Sequence, residues 1–320
     1  MQALLKLIQD GRFHSGQALG AVLGISRSAV WKQLQNLESE LGLVVHSVRG
    51  RGYCLERPLS LLEAERLGVS SGLGAWPVTL HHQLDSTNAE ALRMLGVGGC
   101  GPFIVLAEQQ LSGRGRRGRK WVSPFAENLY YSLAWPVVGG ARQLQGLSLV
   151  VGLAVLQALR VFGLVQAGLK WPNDVLIDGR KIAGVLLELV GDLADLCHVV
   201  IGVGVNVNML SDADEISQPW TSMAVVSGAA VDRSAFVREL SSQLGSYLYR
   251  HQQFGFPTFI SEWNQSDLWA GCLVTVTTIA EATHGVVCGV DETGALILQT
   301  EAGRQVFSGG EISLRLKDDT

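Results

Sequence analysis

The segment GRGRRGRKW at residues 113–121 concentrates more charge than any other stretch, with five basic side chains among the seven residues from Arg114 to Lys120. Arginine presents a planar fork of donors that matches phosphate or carboxylate. The interleaved glycines let the backbone close around a ligand and turn its N–H groups inward. Such a loop calls for an anion. Like charges with nothing beside them to neutralise them predict a segment that is mobile alone and ordered by a polyanionic ligand. The spacing matches neither GxxxxGK[ST] nor a GxGxxG following a strand, so it supports neither a P-loop nor a dinucleotide fold. An RNA-contacting arginine segment and a solvated loop are the competing readings of these residues alone.

Two further stretches carry chemistry. In KWPNDVLIDGRKIAGVLLEL (170–189), Asp178-Gly179 reads as a two-residue hairpin turn, which pairs Leu176 with Lys181 and Asp174 with Ala183. Asp174 and Lys181 then share a face as diagonal neighbours ~7–8 Å apart, with small Ala183 leaving room between them. An aspartate there suits a magnesium ion on phosphates, and a lysine suits charge developing on a phosphoryl group. A cross-strand salt bridge is the plainer alternative. In HVVIGVGVNVN (198–208), Val199, Ile201, Val203, Val205 and Val207 fall on one face, and Gly202, Gly204, Asn206 and Asn208 on the other. The first face is core. The second is cleared of side chains, as happens where something lies against the backbone or at an edge or bulge. Leu84 to Asn88 has the Ser/Thr/Asn cluster of a helix start, so capping competes with ligand binding there.

The elements that must position these residues follow from hydrophobic period. From residue 60 to about 270 strand and helix patterns alternate, with strands at 103–108, 128–135 and 197–208 and helices over Ser148 to Gly163 and Asp232 to His251. Phe236, Leu240, Leu244 and Tyr247 line one face of the second helix. At 320 residues the chain is long for one domain. Ahead of the alternating region, Leu4, Leu5, Leu7 and Ile8 mark a short helix. Ser15 caps a second whose Ala18, Leu19, Val22 and Leu23 face inward, and Gly24 ends it. Ser26 caps a third with Val30, Leu34 and Leu37 inside. VVHSVRGRGYCL then reads as a hairpin with Arg49 and Arg51 on its turn. Helix, glycine turn, helix and basic hairpin form a winged helix-turn-helix. Its candidate DNA contacts are Ser26, Arg27, Ser28, Trp31, Lys32, Arg49 and Arg51. Residues 1–60 carry seven Lys/Arg against four Asp/Glu, which leaves −7 of the net −4 to the rest of the chain.

Composition excludes several classes. With 47% hydrophobic and 17% charged residues the chain is globular rather than disordered. The apolar run from Gly146 to Leu159 is shorter than the ~20 residues of a membrane span and reads as a buried helix. The N-terminus lacks the pattern of an export signal. Five scattered cysteines without CxxC, and seven histidines without HExxH, predict no structural metal and a reducing cytoplasm. His81 and His82 read as strand residues.

Taken in order, DSTNAEA (85–91), EQQLSGRGRRGRKW (108–121), KWPND (170–174), GRKIAG (179–184), IGVGVNVN (201–208) and GGEISLR (309–315) resemble the bacterial biotin–protein ligases of the bifunctional type, which also repress the biotin operon. The resemblance spans nearly the whole chain. It implies an α+β multidomain protein: a winged helix-turn-helix at 1–60, a biotin/lipoyl-ligase-like catalytic domain with a mixed sheet at 61–268, and a small SH3-like β-barrel at 269–320. It implies ATP-dependent formation of biotinyl-5'-AMP, with Mg2+, and transfer of biotin to a lysine of the biotin carboxyl carrier protein of acetyl-CoA carboxylase. It also implies a homodimer promoted by biotinyl-5'-AMP as corepressor on operator DNA, and no membrane.

The residue roles implied by the resemblance are equally specific. Ser86, Thr87, Asn88 and Gln110 would hold the biotin head group. Arg114, Gly115 and Arg116 would clamp carboxylate and phosphate, and Lys181 would stabilise the reacting phosphorus. Gly184, Gly202 and Gly204 would lie along biotin. Arg116, Arg117, Arg119, Lys170, Asn173, Asp174 and Asn206 would take the ATP side, Asp174 with the magnesium, and Trp220 would offer a surface for adenine. A biotin-sensing repressor without ligase activity, a lipoate-type ligase and an RNA-binding protein are the rival readings. The complete arginine-loop and Lys181 set argues against the first, the winged helix against the second, and the hairpin geometry against the third.

Overall fold

The computed structural model describes residues 2–71, 74–137, 140–191, 197–210, 215–278, 281–308 and 313–316. Residues 309–312 of the GGEISLR motif lie outside them. At the N-terminus, α1 (Gln2–Ile8), α2 (Gly16–Leu23) and α3 (Arg27–Leu41) precede a hairpin of β1 (Val45–Val48) and β2 (Gly52–Leu55). Ser15 Oγ accepts from the Ala18 N–H and Ser26 Oγ from the Ala29 N–H, so both helices begin where their hydroxyls satisfy free amides. Leu4, Leu5, Ile8 and Leu19 close on Val30, Leu34 and Leu37 of α3.

The inward face of α2 differs from the expected one. Leu19 is buried with Gly16 and Gly20, while Ala18 is exposed and Val22 is 70% exposed. A Cβ at Gly20 would stand 2.6 Å from the Ile25 carbonyl oxygen, so the helix leans on its glycine face where the turn approaches closely. The same apolar cluster takes in Phe125 and Ala126, which follow directly on the arginine loop.

The central part runs β3 (Val69–Ser71), β4 (Gly74–Trp76), β5 (Val78–His81), α4 (Thr87–Gly96), β6 (Phe103–Ala107), β7 (Leu129–Val137), α5 (Leu147–Val161), β8 (Gly168–Lys170), β9 (Asp174–Ile177), β10 (Arg180–Gly191), β11 (Cys197–Val205), α6 (Met223–Ser227), α7 (Arg233–Phe254) and α8 (Ile260–Ser266). Seven strands form one sheet in the order β5-β6-β7-β11-β10-β9-β8. Only β5 and β6 are parallel, so the sheet is mixed as expected. Val199, Ile201, Val203, Val205 and Val207 point into a core shared with α5 and α7, and α4 covers the other face through Ala91. Arg142–Val161 is long and apolar enough to cross a membrane, yet it is mostly buried, with α5 packed against α7 and the sheet.

A buried charge joins the first part to the second. Arg233, with no exposed surface, pairs with Glu108, donates to the Asn128 carbonyl at 2.8 Å and reaches the Ser60 carbonyl at 2.7 Å. Glu108 in turn accepts from the Leu62 N–H at 2.7 Å. The connection between the helix-turn-helix and the sheet is thus tied at both ends of one ion pair. A buried charge of this kind is tolerated only where its hydrogen bonds are this fully satisfied.

The C-terminal part is a five-stranded antiparallel sheet, β12 (Leu273–Thr277), β13 (Ala282–Val290), β14 (Leu296–Thr300), β15 (Gly303–Phe307) and β16 (Ser313–Leu316), in the order β15-β14-β13-β12-β16. Among the described residues β15 and β16 do not pair. The expected SH3-like barrel is not closed among the described residues, where the strands form an open antiparallel sheet. Trp171 donates from Nε1 to the Gly294 carbonyl at 3.1 Å, and Val274, Val276 and Leu296 enter the central core. Cys54, Cys100, Cys272 and Cys288 are free thiols, and Cys197 points its Sγ at the His198 carbonyl.

Asp267, at the junction with this sheet, accepts from the Trp269 N–H on Oδ1 but leaves Oδ2 buried without a partner. Burial pushes its carboxyl up to about 6 from 3.8. The native state therefore holds this proton more tightly than the unfolded chain does, and stability falls as pH rises through that interval. Asp267→Asn should flatten the fall and raise Tm at pH 7 more than at pH 4, as thermal denaturation of both proteins at the two pH values would register. Equal Tm for variant and parent at pH 7 would contradict the assignment.

Candidate functional site

A cavity of about 790 Å3 opens on the face of the sheet opposite α5. Its floor is Lys181 and Gly184 of β10 with Gly202 and Gly204 of β11. Its walls are the start of α4, the arginine loop, residues 215–220 and the stretch from Lys170 to Asp174. Trp269, Leu314 and Arg315 reach it from the C-terminal side. Every residue assigned above to biotin or ATP lines it: Ser86, Thr87, Asn88, Gln110, Arg114, Gly115, Arg116, Arg117, Arg119, Lys170, Asn173, Asp174, Lys181, Gly184, Gly202, Gly204, Asn206 and Trp220.

The hairpin carries its two charged residues with a register that differs from the expected one. Asp178 and Gly179 take φ of 50° and 73°, the left-handed pair that a tight hairpin turn needs, and Leu176 faces Lys181. Beyond Lys181 the ladder slips, so that Ala183 faces Val175 and Asp174 faces Gly184 rather than Ala183. Ile182 is the extra residue of a β-bulge, fully buried, with its carbonyl taken by the Asn206 N–H at 2.9 Å. Lys181 Nζ consequently lies 2.7 Å from Asp174 Oδ1 rather than one diagonal away, with the two side chains 16% and 17% exposed. The salt bridge, the plainer alternative, is what forms. The contact is one of charge, because Asp174 Oδ1 is buried and receives no directed hydrogen bond.

The arginine loop has partners that its sequence does not reveal. Arg114 pairs with Glu188 at 3.2 Å, Lys120 with Glu215, and Arg116 Nη1 donates to Asn173 Oδ1 at 3.2 Å. Nothing neutralising was expected, yet among the described residues acids distant in sequence pair with Arg114 and Lys120. The loop also closes on itself: the Gly115 N–H donates to the Arg119 carbonyl at 2.7 Å, the Trp121 N–H donates to the Gly113 carbonyl at 2.9 Å, and Arg117 is left-handed at φ 58°. Burial lowers the Arg116 pKa, Asp174 opposes that, and Arg117 and Arg119 reinforce it. A half-buried guanidinium beside two others suits an anion.

The glycine face of β11 is occupied by protein rather than open. A Cβ on Gly202 would fall 2.4 Å from Asn88 Oδ1, and one on Gly204 would fall 2.5 Å from the Trp121 indole. These glycines admit two side chains to the floor of the cavity. Trp121 also reaches Gly184 and lies 5.5 Å from Lys181 Nζ across its ring. Asn206 spends its amide on the Thr221 carbonyl at 3.0 Å, and Thr221 bonds the Lys181 backbone, so Asn206 fastens the Trp220 segment along β10. Lys170 Nζ sits 4.3 Å over the Trp269 ring. Trp121, Glu188 and Trp269 escaped sequence reasoning. Trp121 stands inside the arginine motif and could have been found there; the other two show no local signal.

In the helix-turn-helix, Arg27, Trp31 and Lys32 lie exposed on α3, and Arg49 and Arg51 on the hairpin turn. Ser26 Oγ is engaged in the cap and in a 2.9 Å contact with Ser28. Arg51 stacks on Phe13 at 4.1 Å.

Fold and site together define a multidomain α+β protein, with a cavity lined by cations behind a helix-turn-helix and a small antiparallel sheet at the C-terminus. Residues 71–206 match the biotin/lipoate A/B protein ligase family, residues 1–54 an HTH domain, and residues 273–315 the biotin protein ligase C-terminal domain. The chain is 39% identical over 313 residues to the bifunctional ligase/repressor BirA of Salmonella typhimurium, covering 98% of this chain and 96% of that one. It is 30% identical over 306 residues to BirA of Bacillus subtilis, with 94% of each covered. A biotin protein ligase from Aquifex aeolicus, solved with biotin and ATP, superposes with a TM-score of 0.67 at 28% identity, over 75% of this chain and 99% of that one. The chain belongs to the biotin protein ligases, in the bifunctional ligase/repressor branch.

Gly202→Ala should displace Asn88 and cost about 1–3 kcal/mol of unfolding free energy, the usual range for forcing a methyl into a packed contact. Urea denaturation measures it. A loss under 0.5 kcal/mol would mean that Asn88 can leave the floor freely.

Proposed function

We propose that this protein condenses biotin with ATP to biotinyl-5'-AMP and passes the biotinyl group to a lysine of the biotin carboxyl carrier protein of acetyl-CoA carboxylase. We propose further that it represses the biotin operon with the adenylate as corepressor. The observation that carries the reading is the convergence of Lys181, Arg114 and Arg116 on one cavity whose opposite wall is neutral and polar, in a chain of this family.

In the first step a carboxylate oxygen bonds to the α-phosphorus while the bond to the leaving pyrophosphate breaks. Two anions must meet, so cations aimed at the reacting phosphorus stabilise the transition state more than the ground state. Arg114 and Arg116 clamp the anions, and Lys181 sits where charge develops. Asp174 holds Lys181 until phosphate competes for it. In the second step the carrier amine attacks the acyl carbon, AMP leaves with the acyl–oxygen electron pair, and the amine gives up its proton. The residues fit a magnesium carried in on phosphates, because Asp174 supplies one buried carboxylate oxygen without a hydrogen bond, and one or two carboxylates suffice for that ion. When bound, it would neutralise phosphate charge.

The reading divides the chain near residues 60 and 268. Strands β12–β16 then belong to a small SH3-like barrel that faces the cavity through Leu314 and Arg315. Repression needs a dimer across two half-sites, with Arg27, Trp31, Lys32, Arg49 and Arg51 on DNA. Phe125 and Ala126 support a link, since the segment that clamps the ligand ends inside the helix-turn-helix core.

ATP–pyrophosphate exchange should require biotin and be absent with lipoate or octanoate. Lys181→Ala should lower kcat by about 100-fold or more while changing the biotin Kd by less than tenfold. Exchange supported by lipoate in place of biotin would overturn the substrate. In a titration of operator DNA, biotin with ATP should tighten binding by at least tenfold, and equal affinity with and without them would remove the corepressor role.

A further inference from the structure

Behind the polar wall of the cavity stand two side chains, Ser132 and Glu188, to which the reading above gives no part in holding biotin. Ser132 lies in β7, fully buried and opposite Gly202 in register. Its Oγ is 2.6 Å from Asn88 Oδ1 and 2.7 Å from Thr87 Oγ1. Asn88 Nδ2 donates to Glu188 Oε2 at 2.7 Å. On the far side the Thr87 N–H donates to Gln110 Oε1 at 2.9 Å, and Gln110 Nε2 donates to Ser123 Oγ at 3.3 Å. Thr87, Asn88 and Gln110 line the cavity, whereas Ser132 and Glu188 stand behind it.

A run of hydroxyls and amides can be polarised in either sense, and a group with only one capability at its end decides which. An ionised carboxylate only accepts. Glu188 therefore obliges Asn88 to turn its NH2 toward it and its Oδ1 toward Ser132. The single Ser132 proton then goes to Asn88 Oδ1, which can only accept, and the Thr87 hydroxyl spends its own proton behind the wall, on Gln110 Oε1 at 3.2 Å or on the Ser132 oxygen. Thr87 has no proton left to offer, and its Oγ1 meets the cavity as an acceptor. Gln110 is held in the complementary sense, because its Oε1 is taken by the Thr87 N–H.

We propose that Ser132 and Glu188 are positioning residues that set the hydrogen-bond polarity of this wall, so that it selects a head group bearing N–H donors. The ureido ring of biotin has such donors and the dithiolane of lipoate has none. The proposal rests on the biotin reading above and adds what enforces the choice. Gly202 belongs to the device, since any side chain there would block Asn88 from reaching Ser132.

The test is biotin-dependent ATP–pyrophosphate exchange by the full chain, its Ser132→Ala and Glu188→Gln variants, and the double variant. Ser132→Ala should raise KM for biotin about five- to tenfold, the range for one lost buried hydrogen bond, with kcat and KM for ATP within twofold. Glu188→Gln should raise it about threefold or more. Glu188 also pairs with Arg114, so losing its charge alone would favour an anion, and a rise in KM reads the Asn88 contact. The double variant should be little worse than Ser132→Ala, because the two act through one chain. A biotin KM within twofold of the parent for either single variant, or effects that multiply in the double, would overturn the proposal. The KM for ATP in the same sample reports whether the site is folded, and if Ser132→Ala does not fold, Glu188→Gln alone decides. Failure of the parent itself to exchange with biotin would instead overturn the reading beneath it, and the inference with it.

Discussion

Repulsion among cations gathered on one cavity is the constraint around which the molecule is arranged. Arg114, Arg116, Arg117, Arg119, Lys120, Lys170 and Lys181 all line the same space. The protein meets the problem with acids placed one at a time: Glu188 on Arg114, Glu215 on Lys120 and Asp174 on Lys181. Each can be exchanged for a substrate oxygen, so a site made for anions is kept stable without them. An exposed pair of this sort adds little stability by itself, ~0–1 kcal/mol, which makes it easy to give up when a phosphate arrives. The more buried Lys181–Asp174 pair is harder to release, and it sits where the developing charge offers most in return.

The backbone provides the room. One inserted residue at Ile182 rotates the Asp174–Lys181 relationship from diagonal to direct, and two glycines of β11 leave space that Asn88 and Trp121 fill. Catalytic clefts often place a bulge in just this way, to re-aim a side chain against a strand whose other face must stay in the core. Here Val203 and Val205 point into the apolar core while the alternating Gly202 and Gly204 floor the cavity.

The same chain segment serves two parts of the molecule. Arg114 to Arg117 and Arg119 to Trp121 line the cavity, and Phe125 and Ala126 belong to the apolar cluster that holds Leu34 and Leu37 of α3. Arg233 and Glu108, buried nearby, secure the connection at Ser60 and Leu62. A shift of the loop is therefore opposed or helped by packing within the helix-turn-helix, which is the physical requirement for any ligand to influence how that part meets DNA.

Much of this was legible in the residues themselves. Period-3.6 and period-2 patterns placed α3, α5, α7 and β11, serine caps and glycine stops bounded α2 and α3, and Asp178-Gly179 announced its hairpin, because each depends on interactions within a few residues. The motifs likewise located the cavity lining. What only the tertiary structure decided were relations between distant residues: Glu188 meets Arg114 across 74 positions and Glu215 meets Lys120 across 95. Ser132, the one serine in an apolar strand, gains meaning only when β7 lies beside β11 and α4 lies over both. Val22 lies outside because α2 leans on Gly16 and Gly20, and the close approach of Gly20 to Ile25 is something no periodicity records. The bulge at Ile182 follows from a neighbour, Asn206, that arrives from another strand. Local propensity is written along the chain, whereas charge compensation, hydrogen-bond polarity and ladder slips belong to which strands become neighbours.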